Sequence, residues 1–283
     1  MIMRCAIISD IHGNFDALER VIADAMSFGS LDAIWCLGDI VGYGPNPNEC
    51  VRELRECEIC GTAVYAVAGN HDRAATGKIS IAEFNPDAAT AARWTIKSLT
   101  PETRAYLDGL PVRLDGRAVP SLGDFTLVHG TPHDPVWDYM DSEAVALASL
   151  AEIGTAHCLV GHTHRAEYYA FRPKGHSGQL PSSGHDDGYD DDGPASTQIS
   201  VSAFDHGTIV DLEPDVRLIA NPGSVGQPRD GLSSASYLLL ETTDRCQTRL
   251  QARRVEYNID DVQRKMREAG LPPRLIARLR HGR

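Results

Sequence analysis

The chain has 283 residues, 42% of them hydrophobic and 23% charged, which suits one large globular domain or a domain with an appended lobe. Its formal net charge of -12 argues against a protein whose main task is to coat duplex DNA, so nucleic acid is not an expected partner, although a local positive site stays compatible with that balance. No stretch approaches the roughly 20 apolar residues that span a bilayer, so no membrane role is expected.

Residues 1–14 hold a short apolar run and then a polar cluster, the pattern of a first core strand rather than a secretory signal. The strand is expected over 4–9. Asn14 then caps a helix over 15–28 that sets Leu18, Val21, Ile22 and Ala25 on one face. A second buried strand covers 32–38 and a turn covers 42–49. Asn46-Pro47 reads as a cap followed by proline at the first helical position, opening a helix to about Cys57. A third strand covers 63–69. This strand–helix rhythm implies a parallel sheet. Residues 86–109 read as two helical pieces, the second capped by Thr100 and started by Pro101. A strand follows at 124–130, a helix at 141–153 and a strand at 156–162.

Beyond that point the chain becomes a series of short strands with short turns, read as an antiparallel run. Residues 173–196, rich in Gly, Ser, Pro and Asp, interrupt it and read as a flexible acidic surface insertion. His176, His185 and the acids over 186–192 lie there and read as a solvated loop. From Asn258 the sequence turns basic and amphipathic, consistent with one or two packed helices whose arginines form an outer face, or else a lid or a contact for an anionic substrate. The expected organisation is one domain over 1–257 and a basic helical segment over 258–283. The seven cysteines are scattered and odd in number, fitting reduced thiols and a cytoplasmic location. Cys57 and Cys60 form a CxxC with Cys50 upstream, but nothing nearby completes a zinc site.

The chemistry lies at the strand ends. Asp10 and His12 follow the first strand, Asp39 the second, and Asn70 and His71 the third. His129 ends the next strand, and His162 and His164, in "GHTH", follow the one after. In open α/β sheets, sites form at the carboxyl ends of strands. Singly, each has an ordinary explanation: Asp10 as a helix cap, Asn70 as a turn residue, His129 as a core histidine. Together they form a metal-ligand set. The donors are O and N without sulfur, which suits Mn, Fe, Zn, Co or Ni. The seven side chains suffice for two ions if one carboxylate is shared, and two ions about 3.5–4 Å apart suit in-line displacement at phosphorus by an activated water.

The series D-x-H, GD, GNHD, H-G and GHTH resembles the calcineurin-like metallophosphoesterase superfamily from Asp10 to about Arg229. The forms "DIHGN", "GDIVGYGPNP" and "NPGSVGQPRD" are similar to a bacterial and archaeal phosphodiesterase branch related to small YfcE-like enzymes. The resemblance implies a four-layer αββα sandwich of two mixed β-sheets flanked by helices. It implies one metal on Asp10, His12, Asp39 and His164, and a second on Asp39, Asn70, His129 and His162, with Asp39 bridging. His71 would then stabilise the transition state or protonate the leaving oxygen, and Asp72 would support His71. Asn221, Gly223 and Ser224 lie in a motif near the metals and also fit a tight turn. Arg73 and Arg229 are candidate phosphate clamps, and Tyr43, His133 and Tyr139 lie in loops expected to rim the pocket. His157 and His206 read as structural. The expected function is hydrolysis of a small nucleotide-type phosphodiester. The alternatives are a phosphomonoesterase of the protein serine/threonine phosphatase type, a nuclease, or a metal-binding module without catalysis.

Overall fold

A computed structural model describes residues 3–173, 197–243 and 247–283. Strand β1 (Met3–Ile8) alternates cleanly: Cys5 and Ile7 face one core, Ala6 and Ile8 another. A strand segment buried on both faces must be apolar at every position, which explains the run Cys5–Ile8, while Arg4 at the strand's start pairs with Glu241. Asn14 accepts a hydrogen bond from the Ala17 amide at 3.2 Å and starts α1 (Phe15–Ser27), whose buried stripe is Ala17, Leu18, Val21, Ile22 and Ala25. Strand β2 (Ala33–Cys36), helix α2 (Pro47–Ile59), strand β3 (Ala63–Ala66) and the short helix α3 (Asn70–Ala75) follow. Pro47 opens α2 as expected, but the Asn46 side chain makes no capping hydrogen bond.

Helices α4 (Pro86–Ser98) and α5 (Pro101–Gly109) are the expected two pieces, and Thr100 caps the second through the Thr103 amide. Then come β4 (Arg113–Asp115), β5 (Phe125–Val128), α6 (Glu143–Leu150), β6 (His157–Leu159), β7 (Ala166–Pro173) and β8 (Thr197–Ala203). The chain ends with β9 (Ile209–Asp211), β10 (Arg217–Pro222), β11 (Ala235–Thr242), β12 (Thr248–Val255), α7 (Ile259–Glu268) and α8 (Pro273–Arg278). The acidic insertion, with His176 and His185, lies outside the described residues apart from Pro173.

Two six-stranded mixed sheets result, ordered β3-β2-β1-β11-β12-β9 and β4-β5-β6-β10-β7-β8. Strands β1, β2 and β3 are mutually parallel, as are β5, β6 and β10. The second half is therefore not one antiparallel run. β7 pairs with β8, but β9, β11 and β12 join the first sheet while β10 slots between β6 and β7. Local alternation marks a strand and carries no information about which sheet receives it.

The sheets pack face to face through Ile7, Trp35, Leu127, Leu159, Leu218 and Leu238, each contributing roughly 1.5–3 kcal/mol by burial. Helices α1 and α2 cover the outer face of the first sheet, and α6 lies over the second. This is the expected four-layer sandwich. Helices α7 and α8 pack against α4 and Tyr43 through Val262, Met266, Leu275, Ile276 and Leu279. Among the described residues no helix is long and apolar enough to cross a membrane.

Candidate metal centre

The turns that leave β1, β2 and β6 carry the ligand motifs, and their backbone is unusual. The non-glycine residues in left-handed conformation, among the described residues, are Asp10, His12, Asp39, Tyr43, His162 and His164, with φ between 50° and 67°. Such conformations cost of order 1–3 kcal/mol each. Here they fold the chain back sharply after each strand and turn the polar side chains to one point. Close approach needs the neighbouring glycines: a Cβ at Gly161 would stand 2.1 Å from Ser9 Oγ.

The structure brings the predicted ligands together. Asp10 Oδ1 lies 3.1 Å from His164 Nε2 and 3.7 Å from His12 Nε2. His12 Nε2 and His164 Nε2 are 3.1 Å apart. On the other side, His129 Nε2 is 3.1 Å from His162 Nδ1. Asp39 Oδ2 stands between the two groups, 3.6 Å from His12 Nε2 and 3.4 Å from His129 Nε2. Asp10, His12 and His164 form one cluster that could hold an ion, and Asp39, His129 and His162 form another. His71 lies close to His12 and Asp39 in a third grouping.

The surrounding hydrogen bonds aim these atoms inward. The Nδ1 atoms of His12, His129 and His164 face the carbonyls of Val41, Leu37 and Gln227 at 3.3, 2.8 and 2.5 Å. That leaves each Nε2 directed at the cluster. His162 Nε2 faces the Trp137 carbonyl at 3.1 Å. One oxygen of each carboxylate is occupied: Asp10 Oδ2 accepts from Ser9 Oγ and the His162 amide, and Asp39 Oδ1 accepts from the His71 amide. The opposite oxygens, Asp10 Oδ1 and Asp39 Oδ2, are buried without a hydrogen-bond partner, as is Asn70 Oδ1. Buried acceptors left unsatisfied in this way are costly unless a cation supplies what the protein withholds. The donor set therefore fits metal ions.

The charges point the same way. Burial would raise both carboxyls, but His164 beside Asp10 and His129 beside Asp39 outweigh it and hold both well below the ordinary range. Burial would lower His129, yet Asp39 draws it up to about 9. Burial pushes His71 down to about 4 and His162 to about 3, and it also lowers His12 and His164. A cluster of mostly neutral imidazoles around two carboxylates is a ready cation ligand.

The remaining expected site residues divide. Tyr43 is buried and its ring packs against His12 and His71, with centroids 4.6 and 4.3 Å away. Tyr139 stacks on His162 at 4.0 Å. Arg229 donates its amide to the His164 carbonyl and its Nη2 to Gln227 Oε1, while its Nε is buried without a partner. Arg73 on α3 makes no side-chain hydrogen bond among the described residues. His133 is turned away: its ring is exposed and pairs with Glu152 at 3.0 Å. Asp72, expected to support His71, makes no hydrogen bond to its ring. Asp72 Oδ1 accepts from the Val41 amide and Oδ2 from the Gly69 amide, and His71 Nδ1 has no hydrogen-bond partner. Adjacent positions on a helix point in different directions, so Asp72 instead ties together the two turns that carry Asp39 and Asn70. Burial and the nearby Asp39 raise its carboxyl to about 7.

Asn221 proves to be a lock on the "GHTH" turn, donating to the Gly161 carbonyl at 2.7 Å and to Thr163 Oγ1 at 2.9 Å. Ser224 Oγ donates to the Asp10 carbonyl at 2.8 Å. His157 is buried beside Phe125, and His206 accepts the Arg254 amide. Phe84, packed on His71, and Trp137, packed on Phe84, complete an aromatic wall that sequence reasoning missed. Nothing local to either residue marks it. Ser9, next to the D-x-H motif, was findable as a hydroxyl beside a ligand.

A histidine and carboxylate cluster at the strand ends of an αββα sandwich fits a metal-dependent hydrolase. The chain matches the calcineurin-like phosphoesterase superfamily domain over residues 3–245 and belongs to that family. It is similar to a metallophosphoesterase from Sphaerobacter thermophilus of known crystal structure, with 39% identity, full coverage of both chains and a TM-score of 0.77. An uncharacterized protein of Methanocaldococcus jannaschii is 34% identical over 279 residues, 98% of each chain. A symmetrical bis(5'-nucleosyl)-tetraphosphatase of Serratia proteamaculans is 37% identical over 70 residues, 25% of this chain and 24% of that protein. The protein is a metal-dependent phosphoric ester hydrolase.

Proposed function

We propose that the protein is a dimetal phosphodiesterase acting on a nucleotide-type or other small phosphodiester. The observation that carries this reading is the pair of orphaned buried oxygens, Asp10 Oδ1 and Asp39 Oδ2, beside converging imidazole nitrogens, with Asn70 Oδ1 likewise buried and unpartnered. Asp10, His12, Asp39 and His164 would hold one ion, and Asp39, Asn70, His129 and His162 the other. When bound, such ions supply an activated water and neutralise phosphoryl oxygens. Mn, Fe, Zn, Co and Ni all fit these donors.

The chain's own residues do the rest. Tyr43 and Phe84 grip the His71 ring from two sides, and burial keeps it neutral. An anionic phosphate beside it would draw its proton affinity up, so that it gains a proton as substrate binds and can pass it to the departing oxygen. Asp72 positions His71 through the backbone rather than by touching its ring. Arg229 and Arg73 remain the candidate phosphate contacts, with Tyr43 and Tyr139 as walls, and His133 is the weakest of the set because its ring is engaged by Glu152.

A dinucleoside polyphosphate or a cyclic nucleotide is the preferred substrate type, the former supported by the partial similarity to the bis(5'-nucleosyl)-tetraphosphatase. The unpaired thiols among the described residues accord with a reducing, cytoplasmic setting. Purified protein treated with EDTA should stop hydrolysing bis(p-nitrophenyl) phosphate and recover on addition of manganese. Activity indifferent to chelation, even after long dialysis, would refute the metal-dependent reading. A panel of phosphomonoesters, diesters and cyclic nucleotides on one metal-loaded preparation then separates the diesterase from the phosphomonoesterase reading.

A further inference from the structure

The C-terminal helices form one wall of the site. Leu279, Met266 and Val262 line a small space together with His12, Tyr43 and Gln227. Next to it, α4 and α8 bound a cleft of about 780 Å³ lined by Asn85, Asp87, Arg274, Leu275 and Arg278. Arg278 is half-buried on α8, and its Nε donates to the Arg283 carbonyl. Its terminal nitrogens form no ion pair among the described residues, and neither do those of Arg274 and Arg229. Asp87 lines the same cleft without pairing with either α8 arginine.

This lack of partners is informative in a chain with a net charge of -12. Other arginines of the fold do take up acid: Arg4 and Arg249 with Glu241, Arg253 with Asp24, Arg254 with Asp230, Arg264 with Asp261. Arg229 holds Gln227, which lines the small space together with Leu279, the residue after Arg278, so both arginines flank the same wall; burial first, and then Arg229, lower the proton affinity of Arg278. Arg229 in turn lies within electrostatic reach of His71, His164, Tyr43 and Tyr139. The result is a line of unpaired positive charge running from the metal cluster past Tyr43 into the α8 cleft. Like charges are held together at a cost that a bound anion removes, and guanidinium forks match phosphate oxygens.

We propose that Arg229 and Arg278, with Arg274 at the cleft mouth, form a second anion subsite beside the metal cluster, so that the preferred substrate is a phosphoester carrying a further phosphate group. This rests on the phosphoesterase reading and narrows it. The cluster takes the scissile phosphate, and the α8 cleft takes the other.

The test compares two esters on the manganese-loaded full chain: the p-nitrophenyl ester of thymidine 5'-phosphate with and without a 3'-phosphate. The 3'-phosphorylated ester should have the higher kcat/KM. Arg278→Gln should reduce the ratio of the two kcat/KM values about ten- to hundredfold, the loss of a charge-assisted hydrogen bond to phosphate. Arg274→Gln should reduce it less. A binding measurement runs in parallel: calorimetric titration with methylenebisphosphonate and with methylphosphonate, where Arg278→Gln should remove the preference for the bisphosphonate. A ratio and a preference unchanged in Arg278→Gln, with its melting temperature as in the parent, overturn the subsite. Arg278-dependent bisphosphonate binding without hydrolysis of either ester would instead overturn the phosphoesterase reading and leave the subsite standing.

Discussion

At the scale of the residue, the site is built from side chains held in positions they would not choose in isolation. His71 is the clearest case. Its ring is packed between Tyr43 and Phe84, and the nearby Gly42 has φ of +98°, where a Cβ would stand 2.5 Å from His71 Nδ1. Replacing His71 with Asn should leave bound metal unchanged by elemental analysis and reduce kcat on bis(p-nitrophenyl) phosphate by about 10²–10⁴-fold. Full activity in that variant would remove His71 from the mechanism. The convergence of Asp10, His12, Asp39, His129, His162 and His164 was legible because each sits in a short motif beside glycine. The fate of Asp72 was not legible. Its neighbour in sequence is His71, but its partners are the amides of Val41 and Gly69, which only folding brings near.

At the scale of the element, helix starts followed local chemistry closely, since Asn14 and Thr100 cap the helices expected of them. Strand partners did not. β10 enters between β6 and β7, and this places Asn221 beneath the "GHTH" turn. Removing its side chain would take one of two donors from the Gly161 carbonyl and from the Thr163 hydroxyl, which keep the amides of Thr163 and Arg165. Asn221→Ala should therefore weaken manganese binding by about 10- to 100-fold, as loss of a group that orients ligands does. Calorimetric titration of the variant checks this; affinity equal to the parent would reduce Asn221 to an ordinary turn residue. One histidine of "GHTH" goes to each cluster because the two residues differ in what holds them: the Trp137 carbonyl for His162 and the Gln227 carbonyl for His164.

At the scale of the whole molecule, stability should depend on pH through a histidine far from the metals. His157 is buried beside Phe125, its Nδ1 has no partner, and burial depresses it from 6.5 to about 4. The unfolded chain therefore binds a proton first as pH falls. The stabilisation from keeping His157 neutral is complete above about pH 6.5 and is lost progressively toward pH 4, about 2 kcal/mol of it by pH 5. Urea unfolding of the parent and of His157→Gln at pH 7.5 and 5 should show the smaller loss in the variant; equal losses would assign the acid sensitivity elsewhere. By itself the sequence determined the class of chemistry, because metal ligation depends on which donor atoms follow which strand, and short motifs record that. It also determined where helices begin, because caps are local hydrogen bonds. Only the tertiary structure decided which sheet each later strand joins, that Asp72 binds the amides of Val41 and Gly69, and that the basic C-terminal helices wall the site. Those outcomes depend on contacts between residues far apart in the chain, set by burial of apolar faces that many pairings could satisfy locally but one arrangement satisfies throughout.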